Sequence, residues 1–295
     1  MTKNFCNLCP RKCSVNRDEN GIGFCKADAR IKIGRAALHH WEEPSISGER
    51  GSGTVFFSGC NLGCVYCQNR AISAENAGRY VSEEELAEIF LSLQAEGAHN
   101  INLVTPTHFS KWIKRSVLLA KERGLNIPIV YNCGGYESVD ALRELEGVID
   151  IYMPDFKYFD DKYALRYSNA PNYFFVASGA ISEMFRQVGK NVFLSDGMMR
   201  RGVIVRHMML PGLLFDSKKI IDYLYSEYGD DIYLSIMSQY TPLSWVEKYP
   251  EINKKISPEY YQSLVDYAVS LGVKNAYTQD GEAASESFIP EFYKE

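Results

Sequence analysis

From Thr54 onward, short apolar β-branched runs alternate with longer stretches at helical spacing, and this alternation limits the fold of the 295-residue chain more than any other feature. TVFF at 54–57, INLV at 101–104, IVY at 129–131, VIDIYM at 148–153, VIVRHMML at 203–210 and IYLSIM at 232–237 read as strands. Between them, Leu86, Ile89, Phe90 and Leu93 fall at i, i+3, i+4 and i+7, behind a capping-box pattern at Ser82 and Glu85. Ile220, Ile221, Leu224 and Tyr228 repeat the stripe, as do Leu264, Tyr267, Ala268 and Leu271. Such an order implies parallel strands joined by right-handed helical crossovers, hence an α/β fold that is either an open sheet or a full or partial barrel. In both, the chemistry belongs at the carboxyl ends of the strands.

Seven of the eight cysteines fall in the first 67 residues, leaving only Cys133 outside. The chain is too long to need disulfide staples, and its start, MTKNFCNLCPRK, carries no apolar signal region. No stretch approaches the roughly 18 consecutive apolar residues of a membrane span. The expectation is a cytoplasmic protein whose reduced thiols are available to metal. With 37 acidic against 32 basic residues, nucleic acid is a poor choice of main ligand, because phosphate binding needs clustered surplus cations.

Cys60, Cys64 and Cys67 stand at C-x3-C-x2-C spacing just after the first of these strands. Three close thiolates can hold three corners of a 4Fe-4S cube and leave the fourth iron free for a substrate. Zinc, the alternative, takes four protein ligands in structural sites, and no fourth cysteine lies nearby. Cys6, Cys9, Cys13 and Cys25 offer a complete four-thiolate set, which suits either zinc or an auxiliary 4Fe-4S cluster; spacing leaves both open. The expected division is a four-cysteine segment and connector over 1–50, an α/β body over 51–280 and a tail over 281–295. Residues 37–53 read as the connector.

With Tyr66 directly before its last cysteine, the motif resembles that of the radical S-adenosylmethionine superfamily, whose fold is a partial (β/α)6 TIM-type barrel. The segments CNLCPRKC, ALHHWEEP and GTVFFSGCNLGCVYCQN further resemble one branch of the pyruvate formate-lyase activating enzymes, with a likeness covering about residues 4–280. The resemblance implies that S-adenosylmethionine chelates the open iron of a Cys60, Cys64 and Cys67 cluster. One electron then cleaves it to methionine and a 5'-deoxyadenosyl radical, which abstracts hydrogen from the substrate. It also implies a glycyl radical enzyme as protein substrate and reduced flavodoxin or ferredoxin as electron donor. The first 36 residues, with eight basic against three acidic side chains, offer such an acidic donor a docking surface.

The same resemblance assigns candidate cofactor contacts. Tyr66 stands beside the adenine. Relatives end the second strand in Gly-Gly-Glu, which holds the methionine amino group; here the stretch is Val104-Thr105-Pro106-Thr107-His108, so Thr105 and Thr107 become the candidate acceptors. His108 is either a further acceptor or a helix-entry residue. Asn132 is a candidate for the cofactor's polar edge, and the lone Cys133 reads as a small buried filler. Asp155 and Lys157 match the family's Asp-x-Lys pair. Arg206, in an otherwise apolar strand, must be paired, with the cofactor carboxylate or ribose as partner. His207 points to the opposite face and reads as structural. Gln239 stands where relatives carry a ribose-binding His. The segment from His39 to Glu43 reads as a docking segment. Two other functions remain open: a radical enzyme acting on a small metabolite or peptide, and a zinc-binding interaction protein.

Overall fold

The structure, a computed structural model, describes residues 6–279 and 292–293; the rest of the expected tail lies outside the described residues. In chain order the elements are β1 (Ile31–His39), α1 (Pro44–Ser47), β2 (Ser52–Phe57), α2 (Arg70–Ser73), β3 (Arg79–Val81), α3 (Glu83–Ala95), β4 (Ile101–Val104), α4 (Ser110–Glu122), β5 (Ile129–Cys133) and α5 (Val139–Arg143). Then follow β6 (Ile151–Pro154), α6 (Asp161–Ser168), α7 (Tyr173–Val188), β7 (Val192–Phe193), β8 (Met199–Met208), α8 (Leu214–Tyr228), β9 (Tyr233–Met237), α9 (Pro258–Leu271) and β10 (Ala276–Thr278).

The six expected strands are β2, β4, β5, β6, β8 and β9. They lie side by side in that order, every neighbouring pair parallel. With the crossover helices outside, this is the expected α/β architecture, a partial TIM-type barrel. β10 extends one edge in parallel, while β1 and β3 extend the other antiparallel. Part of the stretch read as a connector is therefore sheet, since Ala37, Leu38 and His39 pair with Thr54, Gly53 and Ser52. Residues 148–150, expected to open a strand, precede β6.

The capping box at the start of α3 forms in full: Ser82 Oγ accepts from the Glu85 N–H at 3.1 Å, and the Glu85 carboxylate accepts from the Ser82 N–H at 2.7 Å. Leu86, Phe90 and Leu93 of that helix are buried against the sheet, each such burial contributing roughly 1.5–3 kcal/mol.

Period-two alternation divides the strands between two environments. Ile129, Tyr131, Tyr152, Val203, Val205, Leu234 and Ile236 face the outer helices. Val130, Ile151, Met153 and Ile204 face inward and pack with Ile46 of α1. The segment from Glu42 to Ile46 thus closes the floor of the barrel. Asn100 Nδ2 donates to the Ile46 carbonyl at 2.7 Å and fixes it there.

Candidate active site

Above that floor, the carboxyl ends of the six strands surround a cavity of about 190 Å³, open at the mouth. Cys60, Cys64 and Cys67 enter it from the loop after β2, and Val104 and Thr105 from the end of β4. Asn132 and Cys133 come from β5, Asp155 and Lys157 from the loop after β6, Arg206 and Met208 from β8, Met237 from the end of β9 and Gln239 from the loop after it. Tyr66 and Leu62 add apolar wall. An apolar wall with a few convergent polar groups is the form of a cofactor or substrate site.

The polar groups form one network. Arg206 Nε donates to Asp155 Oδ1 at 2.9 Å and Arg206 Nη2 to Asn132 Oδ1 at 2.6 Å, while Lys157 Nζ donates to Asp155 Oδ2 at 2.5 Å. From the floor, Glu42 reaches the same group: its carboxylate accepts from Arg206 Nη1 at 3.3 Å and from Asn102 Nδ2 at 2.9 Å. Sequence reasoning missed Glu42, which it placed in a docking segment, because its partner Arg206 is far away along the chain. Burial alone would raise the Asp155 carboxyl, but the Arg206 and Lys157 cations outweigh it and hold it below the usual range. For Glu42 and the adjacent Glu43, burial wins over the attraction of Arg206 and pushes both carboxyls up. Two cations near the mouth therefore face one firmly ionised carboxylate, which leaves them able to attract an anionic group from outside.

Two other expected contacts part company at the end of β4. Thr105 lines the cavity with φ at +58°, a left-handed conformation rare for a β-branched residue, held by its N–H donating to the Asn132 carbonyl at 2.8 Å. Thr107 does not line the cavity. Its hydroxyl donates to Glu137 Oε1 at 2.7 Å, and Tyr131 donates to the other oxygen of that buried carboxyl at 3.1 Å. Burial pushes Glu137 up to about 7 against these hydrogen bonds. His108 is also turned away: Nε2 lies 2.7 Å from the Ser58 carbonyl, so it carries the proton, and burial pulls the ring down to about 3, keeping it neutral. His207 faces outward as expected, between the Phe156 carbonyl and Ser217 Oγ. Cys133 is buried in the outer core at the cavity edge. Gln239 lies in the wall, its side chain engaged with Gln279.

The amino-terminal segment packs directly on the cysteine loop. Arg11 Nε donates to the Asn61 carbonyl at 2.8 Å, and Arg11 Nη2 to the Leu62 and Ser168 carbonyls, each at 3.0 Å. The Cys25 carbonyl lies so close to Gly59, whose φ is +89°, that a Cβ there would collide with it. Cys9 and Cys25 are buried and Cys6 and Cys13 partly so. Burial pushes the Cys9 thiol up to about 12, and the nearby Cys25 and Cys13 push the same way. Burial also raises Cys25, with Cys6 and Cys13 adding to it. Burial likewise lifts Cys60 to about 12, with Cys64 and Cys67 contributing, so such thiols ionise only beside a strong positive charge such as a metal ion. Among the described residues no three Cys, His, Asp or Glu side chains are gathered tightly enough to hold one metal ion.

Residues 54–224 match the family model described as the Radical SAM superfamily. The chain belongs to the radical SAM superfamily. Uncharacterized protein MJ0674 of Methanocaldococcus jannaschii is 30% identical over 283 residues, which cover 92% of this chain and 76% of the relative. A radical SAM methyltransferase from Sphaerobacter thermophilus matches in structure with a TM-score of 0.55 at 16% identity, over 82% of this chain and 70% of that one. SuiB of Streptococcus suis, solved with S-adenosylmethionine bound, matches with a TM-score of 0.54 at 12% identity, over 76% of this chain. The matched part is about half of SuiB, 49% of its length. These structural likenesses show the fold.

Membership of the family implies a 4Fe-4S cluster and S-adenosylmethionine. The residues present fit that pair, with three thiols at one end of the cavity and cations, amides and apolar wall at the other. The absence of a tight single-ion site is compatible with this, because thiolates around one zinc lie about 2.3 Å from it, whereas each cysteine of a cube binds a different iron. Among the described residues no helix is long and apolar enough to cross a membrane.

Proposed function

We propose that Cys60, Cys64 and Cys67 hold the 4Fe-4S cluster and that the chain is a glycyl-radical-enzyme activase of the pyruvate formate-lyase activating type. When bound, the cluster and S-adenosylmethionine supply reductive cleavage to a 5'-deoxyadenosyl radical that abstracts one hydrogen atom. The observation that carries this reading is the meeting of the three thiols with the Asp155, Lys157 and Arg206 network in one cavity. Lys157 and Arg206 orient the methionine carboxylate. Thr105 offers its carbonyl and hydroxyl to the ammonium, in place of Gly-Gly-Glu. Asn132 and Gln239 meet the ribose and the polar edge of the base, and Tyr66 flanks the adenine.

A polypeptide substrate is supported by the rim. Tyr173 Oη bonds the carbonyls of Gly134 and Asp155, so the start of α7 faces the mouth, and Asp216 at the start of α8 caps the N–H groups of Phe159 and Asp160. Phe175 and Phe215, in those two first turns, are 80% and 79% exposed. Exposed aromatics around a reactive cavity suit a macromolecular partner. A peptide without a glycyl radical loop is the second reading, favoured by the Val-Thr-Pro-Thr-His departure and by the likeness to SuiB, which has been solved with its precursor peptide SuiA. A doublet glycyl radical signal on mixing the reduced, S-adenosylmethionine-loaded protein with a glycyl radical enzyme supports the activase. Transfer of deuterium from a labelled free peptide into 5'-deoxyadenosine, with no such doublet, decides for the second reading.

Within residues 1–50 we propose that Cys6, Cys9, Cys13 and Cys25 bind a metal, as zinc or as an auxiliary 4Fe-4S cluster, and so anchor Arg11 over the cysteine loop. Metal analysis of a Cys60, Cys64 and Cys67 triple alanine variant separates the two: retained iron means a cluster, retained zinc a structural ion. A reduced flavodoxin or ferredoxin docks on the basic first 36 residues; a reduction rate indifferent to salt contradicts this.

A further inference from the structure

The three sulfurs of the cysteine loop are not dressed alike. Cys60 Sγ accepts from the Leu62 backbone N–H at 3.3 Å, and Cys67 Sγ from the Ser73 hydroxyl at 3.3 Å. Cys64 Sγ takes a closer contact, the hydroxyl of Ser168 at 3.0 Å, from the last turn of α6. Ser168 Oγ lies 2.8 Å from Tyr158 Oη, which in turn lies 2.7 Å from Tyr66 Oη. The three residues are 1%, 0% and 5% exposed, so the hydroxyls are shut away from bulk water.

Bound to the cluster as a thiolate, Cys64 would fix the direction of this chain. A thiolate has no proton to give, so the Ser168 hydrogen must point at sulfur; the serine lone pair then accepts from Tyr158, and Tyr158 from Tyr66. Each donor is polarised by the one behind it, which strengthens the last bond. Arg11 holds the Leu62 and Ser168 carbonyls together and so keeps the serine over the sulfur.

We propose that the Tyr66, Tyr158 and Ser168 hydroxyls form a polarised chain that raises the reduction potential of the cluster through Cys64. The proposal rests on the reading that Cys60, Cys64 and Cys67 hold the cluster. Reduction adds negative charge that spreads onto the ligand sulfurs, and a donor aimed at one of them favours the reduced state. Ser168 acts directly on the sulfur; Tyr158 and Tyr66 act only through it and are positioning residues.

The test is a redox titration at fixed pH, followed by electron paramagnetic resonance, of the anaerobically reconstituted full chain and its variants. S168A is expected to disfavour reduction about tenfold, a shift of about 59 mV to lower potential for one electron. Y158F shifts less in the same direction and Y66F least, while S168T, which keeps the hydroxyl, stays close to the unsubstituted protein. S168A/Y158F goes no lower than S168A alone, since the tyrosine has no other route to the sulfur. If S168A loses its cluster, Y158F and Y66F carry the test, and equal potentials in those two and the unsubstituted protein overturn the proposal. An unchanged or raised potential in S168A, or additive shifts in the double variant, also overturns it while leaving the cluster ligands in place. Absence of any cluster signal in the unsubstituted protein overturns the ligand reading together with the proposal.

Discussion

Thr105 shows how one residue departs from what its neighbours allow. Its left-handed backbone turns Thr107 out of the cavity and toward Glu137, so two threonines that look equivalent in sequence end in different surroundings. Nothing in the local sequence signals this, because the conformation is imposed by the bond to the Asn132 carbonyl. Substituting glycine removes the Cβ penalty. T105G is therefore expected to be more stable than T105A by about 1 kcal/mol, read from their unfolding midpoints; both lack the hydroxyl, so the difference reports the backbone alone. Glu137 carries a pH signature. Its folded carboxyl titrates near 7, above the ordinary 4.5, so the folded state holds the proton more tightly and this contribution to stability is present below 4.5 and lost as pH rises through 7. Relative to E137Q, the unsubstituted protein should lose about 3 kcal/mol between pH 4.5 and pH 8. Parallel melting curves for the two proteins across that range contradict the assignment.

At the scale of elements, the strands after residue 54 were legible because β-branched runs between polar turns have few alternatives. β1 was not: Lys32 and Arg35 interrupt its apolar residues, and it lies in a segment whose cysteines and cations drew the reading toward metal binding. Its place at the sheet edge comes from pairing with β2 and β3. Arg11 was equally hidden, since its partners are carbonyls of the cysteine loop and of α6. Guanidinium geometry lets one side chain hold both loops, and a lysine cannot span them. R11A is expected to cost roughly 2 kcal/mol and to lower the iron retained per chain after reconstitution, with R11K rescuing neither. Full iron retention in R11K contradicts the clamp.

For the whole molecule, the barrel is held from within by charge as well as by apolar packing. Arg206 joins β8 to Asp155 after β6, to Asn132 on β5 and to Glu42 on the floor segment. Removing it as R206M leaves Glu42 buried without its cation and Asp155 with Lys157 alone, and is expected to cost about 3–5 kcal/mol, with E42Q/R206M recovering part of the loss because the unpaired carboxyl is gone. Equal melting temperatures for R206M and the double variant contradict this picture. The motif that names the family and most of the cavity wall were legible in sequence: Cys60, Cys64, Cys67, Asp155, Lys157 and Arg206 each stand just beyond or near the carboxyl end of a strand. The floor and the second layer were not, because Glu42, Tyr158 and Ser168 meet their partners only after the barrel curves shut. The proposal that those three cysteines hold an open-iron cluster is tested most directly by electron paramagnetic resonance of the reconstituted, reduced protein with and without S-adenosylmethionine. The expected result is a 4Fe-4S signal that changes on adding S-adenosylmethionine and is lost, together with 5'-deoxyadenosine formation, in C64A. A signal indifferent to S-adenosylmethionine, or full 5'-deoxyadenosine formation by C64A, contradicts it.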